Sequence, residues 1–265
     1  MQGLSKQRAL ESLRARIENI EKRPPLAGIV RVDAVETHFA LPAGMLHEIF
    51  TDTQRHAAAS LGFALGAVRS MLTAERPVLL YLQLRNETQE AGLPYGAGLA
   101  SFGLDPEAVI LIRPETVMEL LWAAEEALAC TAVAAVIADI GSDPKALDFT
   151  ASRRLGMRAT ENKTTFLLLR YGLGRTASAA RFRWHLMPAL SAMVPFDPRE
   201  PGESRWHLTL EKGLRQGKPN GEWVLSWTKN GFALMDGPDT DRAAGAAALP
   251  RIVPAALGDR LFKTA

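Results

Sequence analysis

The sequence predicts an α/β protein built on a mostly parallel sheet flanked by helices, and three observations carry that expectation. From about residue 43 to residue 171, short β-type apolar runs alternate with helix-length segments. Those runs are rich in Ala, Leu, Ile and Val, as strands buried on both faces require. After Gly174 the pattern changes to hairpin-type strands, two of them joined by the turn signal Lys218-Pro219-Asn220-Gly221. That change predicts an antiparallel extension at one edge of the sheet.

Taken in order, Leu46–Phe50 reads as the first strand and Ala57–Leu72 as the helix after it. Val78–Leu84 is the second strand, followed by an irregular Gly/Pro-containing stretch. Ala108–Ile112 is the next apolar run, and Pro114-Glu115 opens a helix reaching about Ala129. Ala132–Ala138 is a buried-type strand, Pro144–Arg158 a helix and Thr164–Tyr171 a strand. The hairpin-type strands are Arg181–Met187, Arg205–Glu211 and Glu222–Thr228. Ahead of all these, Leu4, Ala9, Leu10, Leu13, Ile17 and Ile20 keep a helical period that Pro24-Pro25 ends. This segment reads either as an arm joined by a short linker, residues 1–28, or as a helix packed on its own domain. From Gly237 to residue 265, Ala, Gly and Pro dominate without an amphipathic period, which reads as a flexible tail. Its cluster of Leu257, Leu261 and Phe262 offers either a docking motif for a partner groove or a fraying terminus.

The chain has 265 residues, 47% hydrophobic and 23% charged, which excludes a disordered or collagen-like class. No apolar run approaches the ~20 residues of a membrane span, and the first 23 residues are too charged for a signal peptide. One cysteine, Cys130, excludes an internal disulfide and suits a reducing cytoplasm. Net charge is +2, yet residues 150–230 hold 14 Lys and Arg against 6 Asp and Glu. Such asymmetry fits a basic face for nucleic acid or an acidic protein, or else charges scattered over several solvated faces.

In an open α/β sheet, the turn between the first strand and the first helix is where a phosphate loop would lie. Such a loop needs glycines for backbone approach, a lysine to neutralise phosphate and a hydroxyl to hold magnesium. The segment from Thr51 to Ala58 has no glycine, no lysine and no closing hydroxyl. Asp52 would repel phosphate, whereas Arg55 and His56 would attract it. Other constellations are weak. His38, His47, His56, His185 and His207 have no metal-site spacing, so no metal is expected. Gly172-x-Gly174 is too short for a dinucleotide fingerprint. Cys130 reads as a buried packing residue. Trp184, Trp206, Trp223 and Trp227 read as sheet-face packing in preference to base stacking.

The stretch LPAGMLHEIFTDTQRHAAASLGFALGAV resembles the opening of the RecA fold. With GAGLASFGLDPEAVILIRP, DFTASRRLGMRATENKTTFLLLR and WVLSWTKNGF, the chain resembles the ImuA family over residues 29–235. This family comprises RecA-like accessory proteins of bacterial DNA-damage-induced mutagenesis. The resemblance implies a RecA-like core over residues 29–236 and a degenerate nucleotide site at Thr51, Arg55, His56, Ala57, Ala58 and Asp139. Ala57 stands where the phosphate-loop lysine would be, and Ala58 where the magnesium-binding hydroxyl would be. The second strand ends near Gln83 and Arg85 instead of a carboxylate. Asp139 remains as a Walker-B-type aspartate that could orient metal or water, or else as a solvated cap of the Gly141-Ser142-Asp143 turn. Without lysine, hydroxyl and base, phosphoryl transfer loses positioning, charge neutralisation and nucleophile activation. No catalytic residue and no cofactor are therefore expected.

What the resemblance implies about function is an adaptor in SOS-induced translesion synthesis, cytoplasmic and nucleoid-associated. It would link RecA with an ImuB-type polymerase-like protein and an error-prone polymerase homologue, with self-association through a RecA-like face. Leu10, Leu13, Ile17 and Ile20 are the candidate contact, with Leu261 and Phe262 a second. RecA-type proteins hold DNA with two mobile loops, and both corresponding connections here are short. Arg153, Arg154, Arg158, Lys163, Arg170, Arg175, Arg181 and Arg183 remain candidates for DNA phosphate or an acidic partner. The rival readings are a SulA-type cell-division inhibitor and a RecA-like ATP-binding protein with a non-standard phosphate loop.

Overall fold

The structure is a computed structural model that describes residues 39–86, 92–141, 144–191, 202–215 and 221–235. The expected arm over residues 1–28 and tail over residues 237–265 lie outside the described residues. Among the described residues nine strands form one sheet: β1 Leu46–Thr51, β2 Val78–Gln83, β3 Val109–Ile112, β4 Val133–Ile140, β5 Thr165–Tyr171, β6 Phe182–Ala189, β7 Arg205–Lys212, β8 Glu222–Thr228 and β9 Gly231–Leu234. Their order is β3-β2-β4-β5-β1-β6-β7-β8-β9. Pairing is parallel from β3 to β6 and antiparallel from β6 to β9.

This architecture is the expected α/β one, with differences in detail. Arg181–Met187 was expected to belong wholly to the hairpin series, but β6 pairs parallel with β1 on one side and antiparallel with β7 on the other. Residues 172–181 make that possible without a crossover helix. An extended ten-residue segment spans the length of a seven-residue strand, and it rests on the helical layer where Ala179 N donates to Ser152 Oγ at 3.0 Å. β9 was not expected, because its four residues follow the short turn Thr228–Gly231 and carry little pattern of their own.

Among the described residues four α-helices accompany the sheet: α1 Ala57–Arg69, α2 Gly96–Ser101, α3 Val117–Ala129 and α4 Phe149–Glu161. The expected helix from Pro144 begins instead at Phe149. Asp148 is its N-cap, accepting from Ala151 N at 2.7 Å, and Leu147 N closes a turn on Pro144 O. α2 lies within the stretch expected to be irregular; six residues containing two glycines give no helical period to read. Thr116 caps α3 by accepting from Glu119 N at 3.2 Å. Cys130 was expected to be buried, but it is the exposed residue at which the chain leaves α3 in extended conformation. Among the described residues no helix is long and apolar enough to cross a membrane.

Each face of the sheet has its own core. One joins α1, through Phe63, and α2 to Trp184, Trp206 and Phe232 of the sheet, with Phe39 entering from the chain's N-terminal side. The other joins α3 and α4 to β2, β4 and β5. The tryptophans therefore pack as expected, and their N–H groups are satisfied where buried, Trp206 Nε1 donating to Ala59 O at 2.8 Å. Gly62 and Gly66 let α1 lie directly on these rings. A Cβ at Gly66 would stand 2.7 Å from Trp227 and 2.8 Å from Phe232. Gly66→Ala should thus forfeit its helix-propensity gain and destabilise the fold by about 1–3 kcal/mol, read from urea unfolding. Gly98→Ala, where an added Cβ meets open space, is the control.

On β1, His47 is fully buried between two partners. Pro42 O can only accept, so His47 Nε2 donates to it at 2.8 Å, and Trp184 Nε1 donates to His47 Nδ1 at 3.1 Å. Both nitrogens are therefore committed in the neutral ring, and burial lowers the pKa to about 4. The unfolded chain takes up this proton near 6.5 and the fold only near 4. The corresponding stability is complete above pH 6.5 and is lost as pH falls through 4, about 3 kcal/mol for this residue. Proton NMR should show the His47 ring titrating near the lower value, while unfolding free energy declines across that window.

Candidate functional site

The site lies at the C-terminal edge of the parallel strands, where β1 turns into α1. Thr51 closes β1 and is buried, its Oγ1 donating to Thr53 O at 3.2 Å. Gln54–His56 make one tight helical turn that leads directly into α1. Neither Thr53 nor His56 caps a backbone N–H with its side chain. Arg55 points to solvent, and His56 is half-buried with no hydrogen-bond partner at Nδ1. Ala57 is buried beneath the helix start and Ala58 is exposed beside it. The six residues expected at a degenerate nucleotide site thus share one end of the sheet. Ala57, Ala58 and Asp139 line one cleft of about 240 Å³ with Leu61, Gln83, Tyr95 and Phe102.

Asp139 closes β4 opposite Gln83 of β2. The expected solvated cap is corrected here, because its side chain points into the α1 face of the sheet and is only 4% exposed. Tyr81 OH and Tyr171 OH donate to its two oxygens, each at 2.7 Å. Burial raises its pKa, and the two phenol hydrogen bonds oppose that rise. Ser142 and Asp143 of the turn it was expected to cap lie outside the described residues. Sequence reasoning missed Tyr81 and Tyr171. The available signal was positional, since both sit near the C-terminal ends of strands flanking β4 and share Asp139's face through the period of two. Among the described residues no cluster of three or more His, Cys, Asp or Glu could hold a metal ion.

Across the sheet, on the α4 side, Glu48 of β1 is fully buried. It accepts from Arg183 Nε and Nη2 at 3.0 and 2.9 Å and from Ser178 Oγ at 2.6 Å, with Arg170 Nη1 at 3.6 Å. The guanidinium groups of Arg170, Arg175 and Arg183 lie 5.2, 4.3 and 5.4 Å from the Phe50 ring centre. Arg175 also reaches Glu211 at 3.1 Å and Asp52 at 3.9 Å, and His185 Nε2 lies 2.8 Å from Asp52.

The eight basic residues expected to form one recognition face therefore divide. Arg170 and Arg183 neutralise the buried Glu48, which a charge count along the chain cannot register, and Arg175 pairs with the partly exposed Asp52 and Glu211. Arg153, Lys163 and Arg181 are exposed, while Arg154 and Arg158 reach across to Glu125 of α3.

Fold and site together define an α/β protein with an open, mostly parallel sheet and a phosphate-loop position carrying neither glycine nor lysine. No family model matches the chain. Over 198 residues it is 29% identical to Protein ImuA of Caulobacter vibrioides, from strain NA1000 / CB15N and equally from strain ATCC 19089 / CIP 103742 / CB 15. The match covers 70% of this chain and 75% of that protein. The chain is thus similar to Protein ImuA over most of its length.

Asp139→Asn tests the buried carboxylate. A raised folded-state pKa stabilises the protein most below the unfolded value of 3.8, and that contribution fades as pH rises through the folded value. The stability margin of the unmodified protein over Asp139→Asn should therefore shrink from pH 4 towards neutrality, measured by denaturant unfolding.

Proposed function

We propose that this chain is a non-catalytic adaptor with a RecA-like core, acting in DNA-damage-induced mutagenesis. In this reading it links RecA with an ImuB-type polymerase-like protein and an error-prone polymerase during translesion synthesis. The observation that carries the reading is the chemistry of the β1–α1 turn. Ala57 and Ala58 present methyl groups where phosphate and magnesium would need an ammonium and a hydroxyl. Both oxygens of Asp139 already accept phenol hydrogen bonds, which leaves the carboxylate poorly disposed to activate water.

The sheet order supports the RecA-like part of the reading. β1 sits where the crossovers diverge to opposite faces, α1 to one and the β5–β6 connection to the other, the position at which open α/β sheets bind ligands. Similarity to Protein ImuA supports the mutagenesis part. The division of the basic residues favours protein over DNA as the principal partner, since five of the eight candidates already pair with carboxylates of this chain.

ATP titration by calorimetry and a hydrolysis assay, each with and without single-stranded DNA and RecA, test the reading together with co-purification of an ImuB-type protein. The expected outcome is no turnover and a stable complex with that protein. Turnover abolished by Asp139→Asn would overturn the adaptor reading, and capture of a tubulin-like division protein instead would favour the cell-division rival.

A further inference from the structure

α3 and α4 lie side by side over one face of the sheet, and their outer surface is unusually apolar for a solvated helical layer. Met118 and Trp122 on α3 are 64% and 67% exposed, and Phe149 and Met157 on α4 are 51% and 53% exposed. The charges on this surface are segregated. Glu119, Glu125 and Glu126 are the charged residues of α3, all acidic. α4 carries Arg153, Arg154 and Arg158 against Glu161. Within the molecule, Glu125 already draws Arg154 and Arg158 to the seam between the helices. Glu119 and Glu126 on one rim and Arg153 on the other are exposed.

We propose that this face binds a second copy of the chain through a two-fold axis running along the helices. Such an axis lays α3 of each copy on α4 of the other, so that acidic meets basic twice. An axis across the helices would instead place α3 on α3 and oppose like charges, so the charge pattern selects between the two.

The register follows from the seam. Glu125 stands level with Arg154 and Arg158, and the two helices run in the same direction because both connect parallel strands. Met118 is then level with Phe149 and Trp122 with Arg153 at 1.5 Å per residue. In the dimer, Met118 packs on Phe149 of the second copy, and Trp122 receives its Arg153 guanidinium across the indole face. Arg153 also falls between Glu119 and Glu126 on the shared rim. Four large apolar side chains per copy, with an indole near the centre, make the kind of anchor that holds standard interfaces. This inference stands apart from the adaptor reading, since it needs neither RecA nor a polymerase.

Sedimentation equilibrium of the full chain over a range of concentrations tests it. The unmodified protein should dimerise reversibly, and Trp122→Ala should weaken the dimer about tenfold or more while circular dichroism stays unchanged. Arg153→Glu should weaken it too, and adding Glu126→Arg to that variant should restore part of the loss. A monomer at every concentration would overturn the proposal; this is also the result expected if residues 4–22 cover the face in cis. A dimer unaffected by Trp122→Ala and Arg153→Glu would overturn it as well, by placing the contact on another surface.

Discussion

A buried carboxylate at the centre of the sheet organises much of this molecule. β1 is covered on both faces, yet it carries Glu48 on one and His47 on the other. An uncompensated charge at such a depth costs several kcal/mol, so its partners are structural requirements. Those partners come from both strands beside β1, Arg170 from β5 and Arg183 from β6, with Ser178 supplied by the connection between them. The ion cluster thereby ties together the three strands that meet where the parallel and antiparallel halves join. It also holds the β5–β6 crossover in place without a helix of its own.

On the opposite face, the same end of the sheet has been adapted in another way. In the proposed RecA-like core the start of α1 would take the position of a phosphate-binding turn, but Ala57 and Ala58 present methyl groups there, and the aspartate beneath is held by two tyrosines. Hydrogen bonds from Tyr81 and Tyr171 join β2, β4 and β5 at their ends. The arrangement favours rigidity over proton transfer, and the proposed adaptor would work through its surfaces. The outer layer of α3 and α4, where apolar side chains stand exposed among separated charges, is such a surface.

Legibility in the sequence followed the distance over which each signal acts. The parallel strands were readable because burial on both faces leaves an unbroken apolar run, as in the six residues 133–138 of β4. The start of α4 was not, because Pro144 and Asp148 both resemble helix openings and only Asp148 has a backbone N–H to cap. Cys130 was misplaced because a helix end can turn the next side chain either way. The absence of a phosphate loop could be read from eight consecutive residues. The hydrogen bonds that hold Asp139 could not, since Tyr81 lies 58 positions away and Tyr171 lies 32.

By itself the sequence determined the element types, the α/β class and the chemistry missing from the β1–α1 turn. These depend on local periodicity and on residue identity, and neither changes when the chain folds. Tertiary structure decided which charges are spent internally and which face solvent, that Asp139 is buried, and that β6 pairs parallel with β1. Those outcomes depend on which distant segments become neighbours. A carboxylate such as Glu48 acquires its partners only when the strands on either side of it have been brought into register.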